Sequence, residues 1–132
     1  MKIALIIAIF FVVVFFISRR SGGKGFRKIS PVEAKNRLDA GEKILLVDVR
    51  TPKEYAEKHI PKSLLLPLDC LQREAAQKIP DKGASVFVYC LTGRRSANGV
   101  KILTKLGYSN VYNMGAMMNW PGEMETGNQN GV

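Results

Sequence analysis

The sequence predicts an α/β sandwich around a mostly parallel sheet, and three observations carry that reading. Two aliphatic runs, Ile44–Val49 and Ser85–Tyr89, are apolar almost throughout, the pattern of strands buried on both faces. Strands and helical segments alternate along the chain, which implies parallel strands with helices packed on the sheet. Removing the first 28 of 132 residues leaves 104, enough to bury one core.

The chain opens with a different element. Ile3–Ile17 is a run of fifteen consecutive apolar residues. As a helix it would reach about 22 Å at 1.5 Å per residue, against a hydrocarbon core of roughly 30 Å. Snorkelling of Lys2 and Arg19, with slight thinning of the bilayer, closes the gap. Residues 1–18 are therefore expected to form a transmembrane anchor. The competing reading is a cleaved signal peptide, but Ser18-Arg19-Arg20 puts arginine where cleavage needs a small residue, and Ser21-Gly22-Gly23 stands behind both arginines.

Residues 19–28 read as a basic, Gly-rich linker. Its Arg19, Arg20, Lys24, Arg27 and Lys28 outnumber the charges on the N-terminal side, so the positive-inside rule places the domain on the cytoplasmic side of the inner (plasma) membrane. There the linker would lie against anionic lipid headgroups. Signal cleavage would instead export the domain. Of the net charge of +9, these first 28 residues supply +6 and the rest only +3, so the domain lacks the basic face that nucleic acid needs. Two cysteines and one histidine exclude a four-ligand Cys/His zinc site and a disulfide scaffold; no metal or cofactor is expected.

Within the domain, taken as 29–122, the elements follow in order. Ser30 is the expected N-cap of a helix with Pro31 at its first position and Glu33 completing a capping box; Ala40 ends it and Gly41 stops it. The strand Ile44–Val49 leads into a short helix over Pro52–Glu57. A brief strand at Leu64–Leu66 and a helix near Cys70–Gln77 come next, closed by Pro80. Ser85–Tyr89 is the second buried strand. Ser96–Leu106 suits a helix with Ala97, Val100, Leu103 and Leu106 on its buried stripe, ended by Gly107. Asn110–Tyr112 is a further strand, Met117–Trp120 a terminal helical turn, and residues 123–132 a tail.

The chemistry concentrates after the second buried strand. Cys90 stands at a strand's carboxyl end, where α/β sheets place their ligands. A helix start follows, with free N–H groups and a positive dipole end facing the loop. Gly93 allows the loop to curl so that successive amides converge on an anion, and Arg94 and Arg95 add positive charge. Each feature favours thiolate over thiol, making Cys90 a candidate nucleophile. A buried structural cysteine is the bland alternative.

The loop Cys90-Leu91-Thr92-Gly93-Arg94-Arg95-Ser96 resembles the Cys-x-x-Gly-x-Arg-Ser loop of the rhodanese (sulfurtransferase) domain family. Asp48-Val49-Arg50, Glu54-Tyr55, His59-Ile60-Pro61 and Gly115-Ala116-Met117-Met118-Asn119-Trp120 match its other motifs in order. The resemblance implies a rhodanese-like three-layer sandwich, here preceded by the membrane helix. It also implies that Cys90 takes the outer sulfur of a donor such as thiosulfate as a persulfide and passes it to a thiol, a protein acceptor or cyanide. The related cell-cycle phosphatases and arsenate reductases have a loop one residue longer; here the arginine is the fifth residue after Cys90, and the smaller ring suits a sulfur atom better than a tetrahedral phosphate. A non-catalytic docking module at the membrane is the rival from another class. Lys58, Lys62 and Ala116 stand where the family has glycine, and would cost about 1–2 kcal/mol each if those positions need φ > 0.

Two roles are open for Arg95: holding the persulfide or an anionic donor, or tying the loop to Asp48. Arg94 either selects anionic substrates or is a solvated side chain. Asp48 and Arg50 resemble supporting residues near the site, with Arg50 expected to pair with Glu54. His59 is assigned a structural role. Cys70 reads as an inert half-buried cysteine, with a resolving thiol as the alternative, and Trp120 and its neighbouring methionines read as core.

Overall fold

Four strands form the sheet: β1 (Leu45–Asp48), β2 (Leu64–Leu65), β3 (Val86–Cys90) and β4 (Val111–Ala116), in the order β2-β1-β3-β4 and all in parallel pairs. A computed structural model describes Ile3, Ile6, Ile7, Ile9 and residues 27–128 of the chain. Parallel neighbours need crossovers, and α2 (Pro52–Glu57), α3 (Leu68–Lys78) and α4 (Arg94–Lys105) supply them; α1 (Pro31–Asp39) precedes the sheet.

Side-chain alternation along the strands divides the core between two faces. Val47, Val49, Val86 and Val88 pack with Leu71 and Ala75 of α3 and with Val100 and Leu103 of α4. Leu46, Phe87 and Tyr89 point the other way, to Ala34 of α1, Ile60, Met114 and Met117. The three-layer sandwich expected from the sequence is therefore formed, with β3 fully buried. Gly99 lets α4 sit close on the sheet, since a Cβ there would lie 3.2 Å from Cγ1 of both Val49 and Val88.

Local chemistry accounts for most boundaries, and several differ from expectation. Ser30 Oγ accepts the Glu33 amide at 3.1 Å as expected, but the reciprocal capping box forms at α2, between Thr51 and Glu54. Helix α3 starts at Leu68, two residues before the expected Cys70, because Pro67 supplies the turn into it. Strand β4 runs on to Ala116, past the expected Tyr112, accommodating a register shift opposite Val88/Tyr89.

Among the described residues no helix is long and apolar enough to cross a membrane. Ile3, Ile6, Ile7 and Ile9 are helical and exposed; the rest of the expected anchor over 1–18 lies outside the described residues.

Candidate active site

The parallel arrangement brings the carboxyl ends of all four strands to one edge, where Cys90 of β3 stands in register with Ala116 of β4. Its side chain is 1% exposed. Leu91 and Thr92 turn outward, and Gly93 then takes φ +105° as the N-cap of α4. A side chain at that left-handed position would be strained, so the loop needs its glycine here. Gly93 also rests on the backbone of Gly115, itself at φ +80°. Helix α4 begins at Arg94, earlier than the expected Ser96, because a left-handed glycine rather than a side-chain cap starts it.

That earlier start aims the first turn of the helix at the thiol. The Gly93 amide donates to Cys90 Sγ at 3.0 Å and the Ser96 amide at 3.3 Å. Ser96 Oγ lies 3.5 Å from Sγ and donates to Gly93 O at 3.0 Å, closing the loop on itself. Burial pushes the Cys90 thiol up, but hydrogen bonding with the Ser96 side chain and from the amides of Ser96, Gly93 and Arg95 outweighs it, so its pKa lies below the ordinary value. The expected nest of converging amides is present.

The charged partners are distributed differently from the sequence expectation. Arg95 does not tie the loop to Asp48; it makes a fork to Glu54, Nη1–Oε1 2.6 Å and Nη2–Oε2 2.9 Å. Glu54 meanwhile caps α2 through Thr51, and the Arg95 guanidinium, against some opposing burial, holds its carboxyl down to about 2. Arg50 does not pair with Glu54 but with buried Asp48 at 2.8 Å, and also donates to Lys58 O at 2.6 Å. Arg50 is buried beside Asp48 at the end of β1, whereas Glu54 on α2 reaches Arg95 in the first turn of α4. Sequence spacing favoured the i,i+4 pair Arg50–Glu54, and no local signal marks a contact between residues 41 apart.

The remaining candidates sort as follows. His59 is buried, donates from Nδ1 to Tyr55 O at 2.7 Å and stacks on the Tyr55 ring at 3.7 Å, a structural role as expected. Cys70 is half-buried with its thiol pushed up by burial, and Arg73 Nη2 lies 3.5 Å from its sulfur. Met117 is in the core, but Met118 is 68% exposed, contrary to expectation. Of the glycine-to-other positions, only Lys62 has a left-handed backbone, φ +65°; Lys58 is extended and Ala116 has φ −85°. Arg94 is exposed. A pocket of about 370 Å³ is lined by Val49, Pro52, Pro67 and Leu68 together with Arg50, Asp69 and Arg95. A larger groove of about 760 Å³ between α1 and Trp120 contains none of the loop residues. Among the described residues no cluster of metal-ligating side chains occurs.

With this geometry in hand, comparison with known proteins is specific. The rhodanese-like domain family matches residues 30–123. The thiosulfate sulfurtransferase PspE of Escherichia coli is 37% identical over 71 residues, covering 54% of this chain and 68% of that protein. The probable adenylyltransferase/sulfurtransferase MoeZ of Mycobacterium tuberculosis is 35% identical over 99 residues, which are 74% of this chain but a quarter (25%) of MoeZ. Among solved structures, a rhodanese with anions from E. coli superposes with a TM-score of 0.61 at 32% identity, covering 64% of this chain and 99% of that one.

Proposed function

We propose that this chain, which belongs to the rhodanese-like domain family, is a sulfurtransferase that carries sulfane sulfur as a persulfide on Cys90. The observation that carries the reading is the pair of amides at 3.0 and 3.3 Å from a buried Sγ whose pKa is lowered. The Cys90 thiolate attacks the outer sulfur of thiosulfate. A Cys90 S–S bond forms, the donor S–S bond breaks with its electron pair, and sulfite leaves. The same amides then hold the negative terminal sulfur. Attack on it by a thiolate of a small or protein acceptor, or by cyanide, returns Cys90 to thiolate. The amides that lower the Cys90 pKa favour the thiolate form of the nucleophile, and no separate general base is assigned.

Thiocyanate formation from thiosulfate and cyanide tests this directly. Wild type is expected to turn over and Cys90→Ala to fall to background. Equal rates for the two would leave the alternative of a docking module at the membrane. The short loop, with arginine at the fifth position after Cys90, disfavours arsenate reductase and phosphatase activities, and absence of arsenate turnover and aryl-phosphate hydrolysis is the expected result.

On the sequence alone we also place an uncleaved anchor at 1–18, with linker 19–28 and the domain facing the cytoplasm. Protease added to inverted membrane vesicles should then digest the domain. Protection of the domain there, or loss of the first residues from the mature chain, would reverse this placement.

A further inference from the structure

The crossovers sort the loops of the domain onto two opposite edges of the sheet. Cys90 marks the carboxyl edge, where Asp48–Arg50 and Glu54–Arg95 neutralise one another in pairs. At the amino edge, helices α1, α3 and α4 end and strands β1, β3 and β4 begin. Lys43 precedes β1, Lys82 precedes β3, and Lys105 ends α4. Arg27 joins them, donating from Nη1 at 3.3 Å to Oδ1 of Asn110, the residue before β4.

These four cations are exposed and have no carboxylate partner among the described residues. The other charges of the edge cancel: Lys35 meets Asp39, Arg37 meets Glu42 and Lys78 meets Glu74. Asp81 opposes the four alone, and its Oδ1 already accepts the Gly83 amide at 2.8 Å. Two of the cations are held in place by aromatic rings. The Arg27 guanidinium lies 5.5 Å from the Tyr112 centroid and Lys82 Nζ 4.3 Å from that of Tyr108. The chain also enters the domain at this edge. Residues 27–29 run parallel to β4, with the Asn113 amide donating to Arg27 O at 2.8 Å and the Ile29 amide to Asn113 O at 3.1 Å. Upstream stand Arg19, Arg20 and Lys24, with no acidic residue before Arg27. Nine residues separate Ile17 from Arg27, a reach of at most about 35 Å.

Resting on the anchor placed at 1–18, we propose that the amino edge of the sheet docks on an anionic lipid surface through Arg27, Lys43, Lys82 and Lys105. Charge complementarity and chain entry select this occupant. The linker cations and the edge cations share one sign, and the short linker keeps the edge within reach of the headgroups. The Cys90 edge then faces away from the bilayer, open to soluble acceptors.

The experiment reconstitutes the full chain in phosphatidylcholine vesicles with and without phosphatidylglycerol, and reads acylation by acetic anhydride lysine by lysine. Phosphatidylglycerol should slow labelling of Lys43, Lys82 and Lys105 by roughly fivefold or more, the weight of one basic residue at such a surface. Lys53, exposed at the start of α2 on the carboxyl edge, should label alike in both vesicles. Raised salt should cancel the slowing. Lys43→Gln combined with Lys105→Gln should restore most of the labelling of Lys82, with the linker intact and thiocyanate formation unchanged. Equal labelling in the two vesicles, slowing of Lys53 to the same degree, or slowing of Lys82 that survives the double variant overturns the docking edge and leaves the anchor standing. A chain that floats with neither vesicle overturns the anchor, and this inference with it.

Discussion

Ser96 holds the thiol from two directions, with its amide at 3.3 Å and its hydroxyl at 3.5 Å from Sγ. Ser96→Ala keeps the amide and removes the hydroxyl, so the Cys90 titration midpoint should rise, read from alkylation rate against pH. The Glu54–Arg95 pair makes a different pH prediction. The Glu54 carboxyl is depressed to about 2 in the folded protein, against about 4.3 unfolded. Its stabilisation is thus complete above the unfolded value and disappears as the pH falls through the folded one. With side chains 28% and 37% exposed, screening leaves about 1–2 kcal/mol. Urea midpoints taken between pH 5 and 2 should show this loss in wild type and not in Glu54→Gln.

At the scale of elements, backbone signs matter. Lys62 holds φ +65° without being glycine, so Lys62→Gly should raise stability by about 0.5–1 kcal/mol, a gain in urea midpoint. Gly93→Ala puts a Cβ at φ +105°, and should cost about 1–2 kcal/mol along with most of the sulfur-transfer rate, since the amide that it displaces serves Sγ. Much of this level was legible in the sequence. Ser30-Pro31 and Thr51-Pro52 fixed two helix starts through local hydrogen bonds, and the continuous aliphatic runs marked β1 and β3. The start of α4 was not legible, because a left-handed glycine cap leaves no side-chain signature. Nor was the Glu54–Arg95 fork, which depends on how α2 and α4 meet across the edge of the sheet. Met118 misled because the Met-Met-Asn-Trp pattern does not say which methionine faces inward.

Over the whole molecule, the catalytic edge is buttressed from the tail. His59 and Glu125 exchange backbone hydrogen bonds at 2.8 Å, and the Gly127 amide reaches Ala56 O at 2.8 Å, so residues 125–127 strap the C-terminal end of α2. That helix carries Glu54 and, through it, Arg95. Ending the chain after Met124 should destabilise the domain by about 1–3 kcal/mol and speed hydrogen exchange at the His59 amide. The sheet topology explains how the site is assembled: one strand end, one glycine and one helix start are placed together by the fold around a single sulfur.

The ionisation of Cys90 is therefore the most direct measurement. Alkylation of the folded protein by iodoacetamide, followed against pH with Cys70→Ser as background, should give a midpoint below the ordinary cysteine value of about 8.5. A midpoint at or above that value would mean that burial outweighs the amides, and the loop would not be a sulfur-activating site.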